Sequence, residues 1–598
     1  MSVLARADVP KEERWNAESV FATADDWENA YEDLEAQLTR AQDFKGTLST
    51  PEGLIAWLEY SENVRAALGK LRTYATLDYN TNSLDEGAGA RQNRIRGLAS
   101  QASAAFAFAQ PELLDVGTET LKIWTDEHAQ LAHYEHALER LDKAASHIRS
   151  AEVEALLGGL TAPFGTAVSA HGVLANTDLP FKDAVDSEGN THEITQGNIR
   201  KLLSSHDRTL RQSAFENYAD EHLQTKNTMA TILSAGIQQN VFLAKARNYD
   251  SALQAALEPD NLPLSVFHSL LETFRANLPT WHRYFRTKRD LLGINDFHPY
   301  DTFAPMTQNT PEISYEQSVD WLCEALKPLG SEYIDTMRKG SLEQRWVDRS
   351  INKGKRMGAF SSGVQGTYPF IMMSYTDDVF GMSTLAHELG HSLHSYFAFK
   401  TQPQVYSGYS LFVAEIASNF NQAVLRDYLF KQNDERDFQI ALIEEAMANF
   451  YRYFFVMPTL ARFELEIHER TARGESLSAD SLITLMSELY AEGYGDAVVM
   501  DKDRVGSTWA QFHTHLYSRF YVYQYATGIS GAHALAKGII EGESGAAERY
   551  LEFLKAGGSK YPLDALKDAG VDLSGPKPVE ETFEVLSGLV DRLEALSE

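Results

Sequence analysis

Residues 381–397 read GMSTLAHELGHSLHSYF, and the rest of the chain is read outward from this stretch. His387, Glu388 and His391 form an HExxH pattern. On an α-helix His387 and His391 lie about 40° apart around the axis and about 6 Å apart along it, so both imidazoles reach one ion. Glu388 falls on the neighbouring flank, where it can meet a water at that ion without being a ligand. Leu385, Leu389, Leu393 and Tyr396 form an apolar stripe centred roughly 170° from the histidines. The pattern therefore predicts a helix with one face in the core and the other facing a site. With 18 His in the chain, composition alone yields only about 0.04 HExxH patterns, so surface histidines on an amphipathic helix are the weaker reading. His394 shares the histidine face but lies about 10 Å along the axis from His387, too far to share a tetrahedral ion with it. It is expected behind the ligands or against substrate. A metzincin, HExxHxxGxxH, is excluded because His394 and Phe397 stand where that pattern needs Gly and His.

A third ligand must come from elsewhere. Residues 411–425, LFVAEIASNFNQAVL, place Glu415 on a polar stripe with Asn419 and Gln422, opposite Ile416, Phe420 and Val424. Zinc peptidases commonly use two His and one Glu. A lone acid on such a face is usually solvated, so spacing leaves Glu415 open between solvent and metal. Asn419 and Gln422 are candidates to orient the ligands. Residues 507–528, STWAQFHTHLYSRFYVYQYATG, gather His513, His515, Tyr517, Tyr521, Tyr523 and Tyr525. Such a cluster is core by default, although amide hydrolysis needs donors to a developing oxyanion and Tyr and His can supply them.

Helical periodicity also governs residues 24–163, as in STPEGLIAWLEYSENVRAALGKL (49–71) and RQNRIRGLASQASAAFAFAQPELL (91–114). Thr50 and Pro51 predict a capped helix start. Around 179–195 the period shortens and Ser187-Glu188-Gly189-Asn190 predicts a hairpin turn. Residues 295–311 read as loop, and GAFSSGVQGTYPFIMMSY (358–375) predicts a small β-sheet beside the HExxH helix. Helices dominate from Phe380 onward. The expected fold is mainly α, with an N-terminal helical domain over 1–195 that ends in the hairpin and a catalytic domain over 196–598.

The chain has 598 residues, and 54 Lys and Arg against 84 Asp and Glu give a net charge of −30. That excess disfavours nucleic acid and anionic membranes as partners. The 43% apolar and 23% charged residues are ordinary globular values. Cys323 is the only cysteine, which excludes an intramolecular disulfide. No apolar run approaches the ~18–20 residues of a membrane span, and the N-terminal stretch lacks a signal-peptide core. A cytoplasmic location is expected.

Residues 358–397, then FVAEIASNFNQ (412–422) and YGDAVVMDKDRVGSTWAQFHTHLYSRFYVYQYATG (494–528), resemble the oligoendopeptidase F branch of the M3 (thimet oligopeptidase-like) metallopeptidases. RWNAESVF (14–21), FAQPELL (108–114) and KARNYDSAL (245–253) extend the resemblance over most of the chain. It implies a mostly α-helical peptidase with a deep central channel, one catalytic zinc ion per chain, and short unstructured peptides as substrates. The implied ligands are His387, His391 and Glu415, and the implied general base is Glu388. His515, Tyr517 and Tyr523 map onto the transition-state donors. Two departures stand out: HLYSRFYVY lacks the Gly-Gly-Tyr turn of thimet-type members, and Gln422 replaces an acid of the branch pattern. The expected activity is zinc-dependent endopeptidase. A metallocarboxypeptidase or dipeptidyl carboxypeptidase on a related helical fold is the alternative, and a non-hydrolysing peptide-binding protein is disfavoured by the intact Glu388.

Overall fold

The computed structural model describes residues 3–597. Helices dominate it, and two small sheets complete it among the described residues. Helix α1 (Pro51–Thr81) begins as the sequence predicts. Pro51 takes the first helical position and the Thr50 hydroxyl accepts the Gly53 N–H at 3.2 Å. Its apolar face packs with the helices Ala24–Leu38 and Glu86–Phe106 around Trp27, Leu34, Val64, Leu71 and Leu98.

The predicted hairpin forms between β1 (Ala184–Val185) and β2 (Thr191–His192), antiparallel with Ala184 opposite His192. Its turn closes on Asp186, whose carboxylate accepts the Glu188 and Asn190 N–H groups at 3.0 and 2.8 Å. Gly189, at φ +88°, supplies the left-handed step. The second sheet joins β3 (Val347–Asp348), β4 (Phe360–Ser362) and β5 (Phe370–Met372) in the order β3-β5-β4. β3 runs parallel to β5 and β4 antiparallel to it. This sheet lies against helix α2 (Val379–Thr401), where Ser361 and Ser392 hydroxyls meet at 2.8 Å. The sheet beside the HExxH helix is thus as expected.

Contacts divide the chain into two compact units. One comprises Met1–Ser146, Glu312–Leu429 and Leu535–Val571, and the other His147–Pro311, Phe430–Ala534 and Asp572–Glu598. The expected division after residue 195 follows a change of pattern along the chain, whereas these units follow proximity in space. In the first unit, α2 packs with helix α3 (Leu411–Gln432). In the second, helix α4 (Arg436–Tyr451) passes through a π-helical turn, Arg452–Val456, into α5 (Met457–Ala472). Trp281, Phe285, Tyr451, Phe455 and Tyr494 form an aromatic core beside it. Among the described residues, no helix is long and apolar enough to cross a membrane.

Candidate metal centre

Helix α2 starts at Asp378, whose carboxylate accepts the Gly381 N–H at 2.8 Å. Leu385, Leu389 and Leu393 are all 0% exposed, so the predicted apolar stripe is core. On the other side, the His387 and His391 rings stand 4.9 Å apart at 82°. Helix α3 meets α2 at Gly390: a Cβ there would lie 2.3 Å from the Ala417 carbonyl oxygen and 2.6 Å from Ser418 Cα. This approach brings Glu415 to the histidines. Its Oε2 is 3.4 Å from His387 Nε2 and 3.9 Å from His391 Nε2, and the two Nε2 atoms are 3.2 Å apart. A tetrahedral ion with bonds of about 2.0–2.1 Å has ligand-to-ligand edges of about 3.3–3.4 Å. The three atoms therefore stand near three corners of such a shell, and among the described residues they are the His, Cys, Asp and Glu group that could hold an ion.

The surrounding hydrogen bonds fix how these groups present themselves. Gln422 donates its Nε2–H to Ser383 Oγ at 2.7 Å, which turns its Oε1 toward His387 to accept the Nδ1–H at 3.1 Å. That tautomer leaves the His387 Nε2 lone pair on the Glu415 side. His391 bonds the Ala414 backbone, and burial pulls its pKa down to about 4, against the Glu415 charge, so the ring is a neutral donor. Glu388 is 5% exposed, and its Oε2 has no hydrogen-bond partner among the described residues. Burial, with the Glu415 charge second, pushes its pKa up to about 8. Two neutral imidazoles, one carboxylate and an unsatisfied buried carboxylate oxygen fit a divalent cation and a water beside it.

Asn419 donates to the Glu415 carbonyl at 2.8 Å and so steadies that helical turn, without reaching a candidate ligand's side chain. His394 is buried, its ring stacked on Tyr409 at 3.7 Å, and burial brings its pKa down to about 3. Gln422 has the most direct effect of these neighbours. Gln422→Ala is expected to weaken metal binding by about 10–100-fold, read by competition with a chromophoric chelator, while Gln422→Glu keeps the acceptor and the affinity. Equal affinity in all three proteins would remove the Nδ1 bond from the account.

His515, Tyr517 and Tyr523 belong to the second unit. The Tyr517 ring lies across Gly236, where a Cβ would be 2.7 Å from it. His171 Nε2–H donates to the Ala510 carbonyl at 2.8 Å, so its Nδ1 accepts the Tyr517 hydroxyl at 3.0 Å, and that hydroxyl proton is committed. Tyr523 is 1% exposed and packs edge-on against Phe267. His515 is half-buried, and burial, with the Arg452 charge second, lowers its pKa to about 4. Its ring is 6.3 Å from Tyr521 and 6.1 Å from Tyr525, whose hydroxyls are 2.9 Å apart. The resemblance did not map Tyr521 or Tyr525, and their four-residue spacing was the available signal. The loop without the Gly-Gly-Tyr turn still takes a left-handed step at Phe520, φ +48°, where buried Glu464 Oε1 accepts the Phe520 N–H at 2.6 Å.

Residues 201–585 match the family model of peptidase family M3, and residues 112–181 match that of oligopeptidase F. The chain is 36% identical to oligopeptidase PepF of Bacillus subtilis over 99% of its own length and 88% of that protein's. A crystal structure from Chlamydophila abortus superposes with a TM-score of 0.89 at 31% identity, covering 100% of both chains. Oligoendopeptidase-F from Enterococcus faecium gives 0.76 at 28% identity, covering 96% of this chain and 99% of that one. The HExxH helix, the converging carboxylate and a family match over most of the chain have one reading: the protein belongs to the oligoendopeptidase F branch of peptidase family M3 and is a metallopeptidase.

Proposed function

We propose that the enzyme hydrolyses short unstructured peptides with one zinc ion per chain, held by His387, His391 and Glu415, and with Glu388 as general base. The observation that carries this reading is the convergence of two Nε2 atoms and one carboxylate oxygen within 3.2–3.9 Å beside the unpartnered Glu388 Oε2. When bound, zinc polarises a scissile carbonyl and lowers the pKa of a water. Glu388 takes the water proton on its carboxylate and returns it to the leaving amine. In the metal-free protein burial favours the protonated carboxyl; the charge of a bound zinc ion would favour the carboxylate, the form that accepts a proton. Gln422 holds His387 in the tautomer that puts the Nε2 lone pair on the Glu415 side.

For the donors to the developing oxyanion we favour His515 with Tyr521 and Tyr525. The Tyr517 hydroxyl is already spent on His171 and Tyr523 is packed among core rings. Tyr525→Phe and Tyr523→Phe separate the two readings, because a donor loses kcat at constant KM and a core ring loses neither. A cytoplasmic setting accords with the single, buried Cys323.

The decisive experiment uses an internally quenched peptide blocked at both ends. Cleavage that a chelator abolishes and zinc restores is the expected result, and it excludes the carboxypeptidase alternatives, which need a free C-terminus. Full turnover by metal-free protein would overturn the proposal.

A further inference from the structure

Most arginines of this acidic chain find a carboxylate. In the second unit Arg208 and Arg211 share Asp301, Arg462 meets Glu492, and Arg504 meets Asp220. Arg200 and Arg452 pair with no carboxylate among the described residues; their guanidinium groups lie over aromatic rings. The Arg200 guanidinium lies 3.5 Å from the centroid of the Phe303 ring. Phe303 meets Tyr451 edge-on at 5.4 Å, and Tyr451 immediately precedes Arg452. Arg452 opens the π-helical turn, an irregularity that is uncommon in helices and often marks functional positions. It lies over Tyr453 at 5.8 Å, Tyr453 stacks on Tyr525 at 5.0 Å, and Tyr525 shares its hydroxyl bond with Tyr521 beside His515.

Both arginines are exposed to solvent. Yet protein surrounds Arg200 closely enough that burial, with the Arg452 charge second, brings its pKa down to about 10. Two like charges thus lie near each other beside the Phe303 and Tyr451 rings, and among the described residues no carboxylate offsets them. The neighbouring acid, Glu444, already faces the buried Lys288 and accepts the Met306 N–H at 2.7 Å.

We propose that Arg200 and Arg452 form a subsite for a carboxylate of the peptide substrate, with the Tyr521 and Tyr525 hydroxyls along its wall. This rests on the peptidase reading above. Guanidinium groups match a carboxylate through paired N–H donors, and aromatic faces hold the guanidinium planes in place. The carboxylate can come from the peptide C-terminus or from an Asp or Glu side chain, and the test separates the two.

One quenched peptide sequence is prepared as the free acid, as the C-terminal amide, and as amides carrying a single Glu at successive positions. Each is assayed with the zinc-loaded wild type, Arg200→Gln, Arg452→Gln and the two Lys variants, with kcat and KM measured separately. Wild type is expected to favour carboxylate-bearing peptides over neutral ones by about 10-fold or more in kcat/KM, mainly through KM. Each Gln variant loses most of that ratio and each Lys variant keeps part of it. A ratio confined to the free acid identifies the C-terminus; one that follows an internal Glu identifies a side chain. Absence of any preference in the wild type, or an unchanged ratio in the Gln variants, overturns the subsite. The same ratio is read from equilibrium binding of uncleaved peptides, so an enzyme that cuts nothing refutes the peptidase reading while the subsite is still tested.

Discussion

Glu388→Gln is expected to lower kcat by about 10²–10⁴-fold while leaving metal content unchanged. The amide keeps the size and shape of the carboxylate and cannot take a proton. It should also cost no stability, because the group it replaces is a buried acid with an unpartnered oxygen. The sign follows from the raised pKa, about 8 against an ordinary 4.5. Between those values the folded metal-free protein binds more protons than the unfolded chain, so its stability falls as pH rises through that window. Gln never ionises. The melting temperature of the metal-free variant should therefore match that of the wild type near pH 4.5 and exceed it increasingly toward pH 8. Turnover retained in the variant would take Glu388 out of the base role, and a lower melting temperature would make the carboxylate structural.

Gly390→Val should be the most damaging single change at the centre that touches no candidate ligand. The atoms a side chain would meet are the backbone of Ala417 and Ser418, which cannot rotate aside as a flexible side chain could. Overpacking of this kind costs about 1–3 kcal/mol or more. Replacing Gly in a helix interior returns less than about 1 kcal/mol. The helices must therefore separate, and Glu415 moves away with α3. Lower thermal stability and metal binding weakened by more than about tenfold are expected together, since a carboxylate displaced by an ångström no longer completes the shell. Gly97→Ala is the control. Gly97 sits within the helix Glu86–Phe106 with nothing within 4 Å of a built Cβ, so the substitution should stabilise by about 0.5–1 kcal/mol. Full metal affinity in Gly390→Val would show that the helix approach does not set the centre.

The sequence by itself determined what depends on neighbours within a few residues. The four-residue step from His387 to His391 puts two imidazoles on one helical face whatever surrounds the helix, and Leu385, Leu389 and Leu393 point that face away from the core. The Thr50–Pro51 helix start and the Gly189 turn are equally local. Glu415 lay between: its residue type suited a ligand, its spacing decided nothing, and it took a family resemblance to favour it. Tertiary structure alone decided that the absence of a side chain at Gly390 lets α3 close on α2, and that Gln422 rather than Asn419 reaches a candidate ligand. It also decided that the Tyr517 hydroxyl is committed to His171, and that Arg200 lies over Phe303 with no carboxylate paired to it among the described residues. The physical reason is the range of the interactions. Helical periodicity is written in the covalent chain, whereas the distance between side chains on different helices is set by the packing of every residue between them, and no short stretch of sequence carries that sum.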